Sequence, residues 1–322
     1  MMQFREDIVD LFSMKRGGHV QKWLYTDRIR PDNRSGASLW HNFVNTNENY
    51  YIIREEIEVI PEIIGKIDKS YDTVVEFGIG DKVATEQKTL PILKSLPGLE
   101  KYYAIDVSAE NISNGFSILN DHIKDIETIG IVNDFYAEND EVEGENRLGL
   151  CLGATISNQE MRIGKTFPRE RIINQLKTLG NTVKGNKRGN ILLSIDANPD
   201  LDAALAAYQH PSWNNMMTGL MYDVRDMLKP EGDFNPSLWH YSPVIDREHH
   251  VIHQAISPSN DQNFSIDGTE FNIKSGEHFV VKNNFKYPYD VFVGLCEQAG
   301  LTHEENAKTS RRFNVAILSV EA

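Results

Sequence analysis

Short apolar runs alternate with amphipathic stretches through the middle of the chain. Residues with helical spacing predict helices at Thr85–Leu96, Asn111–Ile123, Arg169–Leu179 and Tyr289–Gly300. The apolar runs predict buried strands at Thr73–Phe77, Lys101–Ile105, Thr128–Val132, Arg147–Leu152, Gly189–Ile195 and Phe313–Val320. Strands that alternate with helices of this length are typical of a parallel, doubly wound α/β sheet.

Two segments interrupt this alternation. Residues 1–60 are predicted to be mixed helix and loop, with a helix from Tyr51 that breaks before Pro61, because proline disfavours helical backbone in the preceding residue. Residues from about 197 to 287 begin with helices and continue with alternating runs, separated by Asp267-Gly268 and Ser275-Gly276 turns that favour antiparallel hairpins. An α+β insertion of this kind is typical of a substrate-binding lobe.

Composition and charge narrow the class of protein. The 322 residues carry a formal net charge of -14, with 40% hydrophobic and 25% charged residues, as in a soluble globular protein. A nucleic-acid partner is not expected, because phosphate binding needs a basic surface. No apolar run approaches the roughly 18 residues that span a bilayer, and Met1–Lys15 lacks a secretory pattern. We therefore expect a cytoplasmic protein with a small-molecule partner and no membrane partner.

The cysteines and histidines do not predict a metal site. Cys151 and Cys296 are far apart in apolar surroundings and are expected to be buried free thiols. The His249-His250-x-x-His253 sequence lies in an alternating stretch that sends side chains to both faces of a strand, so a polar surface cluster is expected there.

Candidate ligand-binding residues follow three successive predicted strands. Gly78 and Gly80 close the first strand, where glycine lets the backbone approach a ligand. Asp106 ends the second strand, where doubly wound folds place an acid that accepts hydrogen bonds from ribose hydroxyls. Asp134 and Phe135 follow the third, where a carboxylate can accept the adenine amino group and a ring can cover the base. Together these residues predict an adenosine-containing cofactor.

The glycine spacing helps to choose between two such cofactors. A complete dinucleotide-binding fingerprint would place a third small residue where this chain has Val83. Pyrophosphate would then pack less well, which favours S-adenosylmethionine, a ligand without phosphates, over a nicotinamide dinucleotide.

With these residues in place, the chain resembles the histidine-specific methyltransferase family, whose best-known members trimethylate the α-amine of histidine on the way to ergothioneine. The motifs that carry the resemblance run through most of the chain in the family's order: Trp23-Leu24-Tyr25, Asn49–Arg54, Glu76–Gly80 with Lys88-Thr89, Tyr103–Ser108, Asp134-Phe135, Leu152–Asn158, Ile195-Asp196, Ala206–Tyr208, Gly276-Glu277 and Phe285–Tyr287.

The resemblance implies a class I S-adenosylmethionine-dependent methyltransferase with two lobes. Residues 61–196 plus 287–322 would form the cofactor-binding core, and residues 1–60 plus 197–286 the substrate-binding lobe. The implied cofactor contacts are Gly78, Gly80, Lys88, Asp106, Ser108, Asp134, Phe135, Gly153 and Thr155. The implied substrate contacts are Tyr25, Tyr50, Tyr51, Asn158, Tyr208, Tyr222, Lys282 and Asn284. Asn158 and Tyr208 would be the catalytic pair that holds the acceptor amine with its lone pair towards the methyl group.

Two departures from the family pattern concern the substrate. Lys282-Asn283-Asn284 stands where histidine methylators carry Glu-x-Ser, and Met221-Tyr222 replaces part of an Ala-Phe-Asn stretch. A carboxylate accepts an imidazole N–H and an ammonium does not, so we predict an amino acid or derivative other than histidine as acceptor. Alternatively, Lys282 points to solvent from an alternating strand.

Two further functions stay open from the sequence. The same fold could methylate a side-chain or guanidino nitrogen or an oxygen, or the chain could be an inactive cofactor-binding scaffold. A biosynthetic enzyme that is a monomer or weak homodimer is expected.

Overall fold

Helices form where apolar residues recur every three or four positions along the chain. In the computed structural model, which describes residues 2–137, 139 and 141–320, the α-helices are α1 Met2–Phe12, α2 Gly36–Thr46, α3 Tyr51–Lys66, α4 Lys82–Ala84, α5 Leu90–Lys94, α6 Ala109–His122, α7 Arg169–Val183, α8 Leu201–Ala206, α9 Pro211–Leu228 and α10 Tyr289–Gln298. A π-helical turn at Thr85–Thr89 joins α4 to α5, and 3-10 turns lie at His19–Tyr25, Thr155–Ser157 and Pro236–Leu238. Within these described residues, no helix has both the length and the apolar character that crossing a membrane requires.

The strands belong to three sheets. They are β1 Thr73–Phe77, β2 Lys101–Asp106, β3 Glu127–Val132, β4 Asn146–Cys151, β5 Arg188–Asp196, β6 Glu231–Gly232, β7 Trp239–Tyr241, β8 Val244–Asp246, β9 Val251–Pro258, β10 Gln262–Ile266, β11 Thr269–Ile273, β12 Phe279–Phe285, β13 Leu301–Lys308 and β14 Phe313–Val320. The strand predictions for β1 and β14 are confirmed to the residue, and those for β2 to β5 to within two residues.

The chain folds into two units whose boundaries differ from the predicted lobes. The first contains the chain up to Asn49, Asn158–Pro168 and Asp200–Phe285; the second contains Tyr50–Ser157, Arg169–Pro199 and the chain from Lys286 onward. Helix α3 belongs to the second unit because it packs on β13 and β14. The 158–168 segment belongs to the first because the Asn283 side chain donates to two of its carbonyls.

The second unit is built on the predicted α/β sheet. Its strand order is β13-β14-β5-β4-β1-β2-β3. Strands β1 to β5 are parallel where they pair, and β14 runs antiparallel to both β5 and β13. The five residues of β1 are all buried, as expected for a central strand covered on both faces. The doubly wound α/β sheet is confirmed.

Helix α3 runs through Pro61, so the predicted break before this proline is wrong. The helix continues to Lys66. Ile52, Val59 and Ile63 recur on its apolar face and are at most 3% exposed. Burial of this face offsets the hydrogen bond that Pro61 cannot donate.

The alternating runs of the first unit form strands in two small sheets, and the hairpin predicted at Asp267-Gly268 is confirmed. The hairpin predicted at Ser275-Gly276 is wrong, because this turn joins β11 to β12, which belong to different sheets. One sheet has the order β11-β10-β6, and the other has the order β12-β9-β7 with β8 also paired to β9. The turn between β10 and β11 is Asp267-Gly268, and both residues have positive φ, as a tight hairpin turn requires. Strand β9 is buried along its whole length.

A buried ion pair lies at the carboxyl end of β5 in the second unit. The Lys286 Nζ lies 2.6 Å from Asp196 Oδ2, and both side chains are at most 1% exposed. The Tyr51 hydroxyl donates to the same carboxylate oxygen, and the Asn198 amide N–H donates to Asp196 Oδ1. Burial alone would lower the pKa of the Lys286 ammonium, but the charge of Asp196 and the Tyr51 contact raise that pKa above its ordinary value.

Removing the ammonium of Lys286 should cost much more stability than removing an exposed one. In Lys286→Met, Asp196 stays buried without its counter-charge, and we expect the free energy of unfolding to fall by about 3–5 kcal/mol. In Lys187→Met, which breaks the exposed pair with Glu145, stability should be nearly unchanged, because water screens an exposed ion pair. Urea denaturation of both variants measures the difference, and equal losses would contradict a buried charge pair.

Candidate functional site

Two glycines shape the backbone at the end of β1. Gly78 and Gly80 have φ of 84° and 74°, the left-handed region that glycine enters without steric cost. The Gly78 N–H donates to the Ile105 carbonyl of the neighbouring strand β2 at 2.8 Å. A Cβ on Gly78 would lie 3.7 Å from the Phe135 ring. The strand end is therefore tied to β2 and lies beside the ring of Phe135.

The predicted acids follow β2 and β3 at the same edge. Asp106 is the last residue of β2, and its Oδ1 accepts the Ser108 N–H at 2.8 Å. The Ser108 hydroxyl caps α6 by accepting the Asn111 N–H at 3.0 Å. Asp134 accepts the Tyr136 N–H at 3.0 Å. Because β1, β2 and β3 are parallel and adjacent, the structure brings Gly78, Asp106 and Asp134 to one edge of the sheet.

A buried glutamate joins two further predicted residues of this unit. Glu56 on α3 is fully buried and lies 2.6 Å from the Lys88 Nζ. Its other oxygen accepts the Gly153 N–H at 2.7 Å. Lys88 lies in the π-helical turn, a feature frequent at functional sites. Glu56 thus holds the turn after β1 and the loop after β4 together, and direct contact of Lys88 with a cofactor stays a prediction.

The loop after β4 has a constrained backbone. Gly153 and Ala154 both have positive φ, of 71° and 53°. The Ala154 N–H donates to the Ser194 hydroxyl at 2.9 Å, and the half-buried Thr155 donates its hydroxyl to the Leu152 carbonyl at 2.7 Å. Side-chain hydrogen bonds hold this loop in a conformation that is unusual for alanine.

The carboxyl of Glu76, two residues before Gly78, is buried. It accepts hydrogen bonds from the hydroxyls of Thr89, at 2.9 Å, and of Tyr102. Burial raises the pKa of Glu76 to about 7, and the two hydroxyl donors oppose that rise. A carboxyl with this pKa changes its charge near neutral pH.

These residues of the second unit fit an adenosine group. Ionised carboxylates accept hydrogen bonds only, which suits Asp106 for ribose hydroxyls and Asp134 for an amino group. The half-buried ring of Phe135 lies beside Gly78, where the missing side chain leaves an apolar face open to a base. The donors and acceptors present therefore match the predicted cofactor.

Four predicted substrate residues of the first unit are connected. Asn158 is half-buried, and its Oδ1 accepts a hydrogen bond from Asn284 Nδ2 at 2.8 Å. The Gln21 Nε2 donates to the Asn158 backbone carbonyl at 2.7 Å. Lys282 Nζ lies 3.4 Å from Gln21 Oε1 and 5.3 Å from the centroid of the Tyr25 ring. Gln21 thus links Asn158 to Lys282, and Lys282 contacts Tyr25.

Lys282 is buried, so the alternative that it points to solvent is wrong. Only 3% of the residue is exposed. Lys282 pairs with Gln254 across β12 and β9, and Asn284 lies two residues further along the same strand. Side chains two residues apart share a face of a sheet, so Lys282 and Asn284 lie on the face that carries Gln254.

Tyr208 and Tyr222 lie in different surroundings of the same unit. Tyr208 is only 2% exposed, and its ring lies 4.8 Å from that of Trp213. Tyr222 is half-buried, with the Arg225 guanidinium 5.3 Å from its ring. The structure places Tyr208 in an aromatic cluster with Phe43, stacked at 6.4 Å. Direct substrate contact by both tyrosines stays a prediction.

Tyr50 and Tyr51 belong to the second unit. Tyr50 precedes α3, and Tyr51 is its first residue. Both are at most 6% exposed. Tyr51 donates to Asp196 and lies 5.6 Å from the Arg311 guanidinium. Its visible role is to complete the buried ion pair, and substrate contact by either tyrosine stays a prediction.

The sequence patterns did not indicate two buried residues that form hydrogen bonds with predicted site residues. Glu56 lies among Ile52, Val59 and Ile63 on the buried face of α3, and a glutamate at an apolar position of a helix could have drawn attention to it. Gln254 is fully buried in the apolar strand β9, which is the same kind of signal.

His253 is fully buried, so the predicted polar surface cluster is wrong for this residue. The residue is buried because β9 has a partner strand on each side. Its Nδ1 lies 2.7 Å from Asn283 Oδ1. His249 is half-buried beside Asp246. Over the described part of the chain, no group of three His, Cys, Asp or Glu residues is arranged to hold a metal ion.

Comparison with known proteins identifies relatives along almost the whole chain. The family described as histidine-specific, SAM-dependent methyltransferase matches residues 4–320. An uncharacterized protein of Sinorhizobium fredii is 28% identical over 234 residues, which cover 71% of this chain and 74% of that protein. The N-methyltransferase dtpB of Aspergillus flavus is 25% identical over 287 residues, 83% of this chain and 76% of that protein. A methyltransferase structure from Clostridium acetobutylicum has 10% identity and a TM-score of 0.45, covering 89% of this chain and 98% of that one.

Glu76 should make stability depend on pH below neutrality. Its pKa is higher in the folded protein than in the unfolded chain, so the protonated carboxyl stabilises the fold. That contribution is fully present below about pH 4.5 and is lost as the pH rises through about 7. We expect the free energy of unfolding of the wild type, relative to Glu76→Gln, to fall across this range.

Urea denaturation at several pH values measures the effect. The exposed Glu145→Gln variant is the control and should follow the wild-type curve. Parallel curves for the wild type and Glu76→Gln would contradict a raised pKa for Glu76.

Proposed function

Since the chain belongs to the family of histidine-specific, S-adenosylmethionine-dependent methyltransferases, we propose that it methylates a nitrogen of an amino acid or an amino-acid-derived small molecule other than histidine. The family match makes the chain a methyltransferase that uses S-adenosylmethionine, on a class I α/β fold. The Aspergillus flavus relative is named an N-methyltransferase, which supports nitrogen as the acceptor atom.

The residues at the edge of the second unit's sheet would bind the cofactor. When bound, S-adenosylmethionine supplies a methyl group on a positively charged sulfur. Asp106 would accept hydrogen bonds from the ribose hydroxyls, and Asp134 from the adenine amino group. Phe135 would cover the base, while Glu56 keeps Lys88 and the Gly153 loop in place.

The observation that carries the acceptor proposal is the burial of Lys282. Its ammonium is held by Gln21 and the Tyr25 ring within the cluster that contains Asn158. An ammonium donates hydrogen bonds and accepts none, so this position favours a substrate carboxylate or carbonyl and disfavours an imidazole N–H. Histidine is therefore a poor match for the residues around Lys282.

The protein's main contribution to methyl transfer would be orientation. Holding two reactants in line can be worth about 7–11 kcal/mol of the barrier. The acceptor nitrogen must be neutral to attack, although a free amine is largely protonated near pH 7. Asn158 is the residue that we assign to direct substrate contact, with Tyr25 and Tyr208 as further contacts.

A methyl-transfer screen tests this function. We expect S-adenosylmethionine to be converted to S-adenosylhomocysteine in the presence of one or a few of the common L-amino acids, with histidine not the best of them. In Asn158→Ala, turnover should fall by roughly a hundredfold, while the cofactor dissociation constant stays unchanged.

The exposed Asn215→Ala variant serves as control and should keep full turnover. Transfer to oxygen acceptors alone, or no transfer despite cofactor binding, would contradict the proposal.

Lys282 should determine which acceptor is preferred. In Lys282→Met, an acceptor with a side-chain carboxylate or carbonyl loses a charged hydrogen bond, and kcat/KM should fall about tenfold to a hundredfold. Acceptors with apolar side chains should lose much less. The exposed Lys274→Met variant of the same unit should leave both values unchanged. Equal losses for both classes of acceptor would contradict a contact between Lys282 and the substrate side chain.

A further inference from the structure

A chain of side-chain hydrogen bonds leads from the core of the first unit to Asn158. Trp213 Nε1 donates to Gln254 Oε1 at 3.1 Å, and Gln254 Nε2 donates to Asn284 Oδ1 at 2.7 Å. Asn284 Nδ2 then donates to Asn158 Oδ1 at 2.8 Å. We call these four residues the amide relay. It begins at a fully buried tryptophan and ends at a half-buried asparagine.

The first member fixes the orientation of every amide that follows. An indole N–H can only donate, so the Gln254 atom that faces Trp213 must be the oxygen. The Gln254 nitrogen then faces Asn284 and requires the Asn284 oxygen as its acceptor. The Asn284 nitrogen in turn faces Asn158 and requires the Asn158 oxygen. Each step follows from matching one donor with one acceptor.

A second donor reinforces the orientation of Gln254. The Tyr241 hydroxyl also donates to Gln254 Oε1. Burial raises the pKa of Tyr241, so the hydroxyl keeps its proton and stays a donor. Turning the Gln254 amide would place its NH₂ group against the Trp213 N–H, which cannot accept a hydrogen bond, and Gln254 is fully buried, where a lost hydrogen bond is costly.

We propose that Gln254 is a positioning residue that acts through Asn284 to present the Asn158 side chain to the substrate as a hydrogen-bond donor. The Asn158 oxygen is engaged by the relay, and its NH₂ group is the end turned away from Asn284. An NH₂ group binds an oxygen acceptor and does not bind an ammonium. Asn158 would therefore hold the carboxylate of an amino-acid acceptor, in place of the amine contact predicted from the sequence.

Lys282 adds a second donor to the same cluster. Gln254 pairs with Lys282 across β9 and β12, and Gln21 joins the Lys282 ammonium to the Asn158 backbone. Two donors in one cluster match a substrate that carries oxygen acceptors at two points, such as an amino acid with a carbonyl or carboxylate in its side chain. The inference rests on the proposed function, because it takes Asn158 as a substrate contact.

The Gln254→Glu variant inverts the relay at nearly constant size. A carboxylate still accepts from Trp213 and Tyr241, but its second oxygen cannot donate to Asn284. The Asn284 amide would turn to donate to residue 254, and Asn158 would turn to donate to Asn284. Asn158 would then present its oxygen to the substrate. In Asn284→Asp, the carboxylate accepts from Gln254 but cannot donate to Asn158, so Asn158 would again present its oxygen to the substrate. This second variant keeps the test valid if the first does not fold.

The measurement is kcat/KM for the common L-amino acids and for the corresponding amino-acid amides, which have a neutral CONH₂ group in place of the carboxylate. The wild type should prefer the acids by about tenfold or more, because hydrogen bonds to a charged group are the stronger ones. In Gln254→Glu and Asn284→Asp this preference should vanish or reverse, mainly through KM. Gln262→Glu is the matched control, since Gln262 is also fully buried and accepts the Asn235 N–H outside the relay.

The outcomes separate the inference from the proposed function. Loss of the acid preference in the two relay variants, with preference kept in Gln262→Glu, supports the inference. An active wild type whose acid preference survives in both relay variants overturns it and leaves the proposed function standing. A wild type that binds S-adenosylmethionine but methylates none of these acids and amides contradicts the proposed acceptor class, and the inference with it.

Discussion

The parallel pairing of β1, β2 and β3 is the constraint on which the proposed cofactor site depends. Parallel strands end at the same edge of a sheet, so the loops that follow them meet there. This pairing brings the glycine turn at Gly78, the carboxylate of Asp106 and the Asp134-Phe135 pair together, although they are far apart in sequence. Glu76 is buried near the end of β1, an interior strand between β4 and β2, and it holds the π-helical turn through Thr89.

Buried polar side chains fix the positions of the residues that are proposed to bind the cofactor and the substrate. In the second unit, Glu56 holds Lys88 and the Gly153 loop, and Asp196 joins Lys286 to Tyr51. In the first unit, the amide relay and Gln21 hold Asn158. Burying charges and amides is costly unless every hydrogen bond is made. These networks therefore restrict each side chain to one arrangement, which a reaction that depends on orientation requires.

The sequence predicted the sheet and the residues at its edge because strand burial and strand-end chemistry are local signals. Strand β13 was not predicted, because Thr302, Glu304 and Glu305 interrupt its apolar pattern. Polar residues are tolerated there since β13 lies at an edge of the sheet with one partner. The sequence also predicted a break at Pro61, because the packing of α3 on β13 and β14 is not visible in the local pattern. The direction in which the Asn158 amide points depends on which strands pair and on Trp213, more than fifty residues away in the chain, so no local pattern contains it.

The most direct test of the central claim is a crystal structure of the protein with S-adenosylhomocysteine. The ribose hydroxyls should be hydrogen-bonded to Asp106 and the adenine amino group to Asp134, with the ring of Phe135 against the base. A ligand bound anywhere other than at the ends of β1, β2 and β3 would contradict the account.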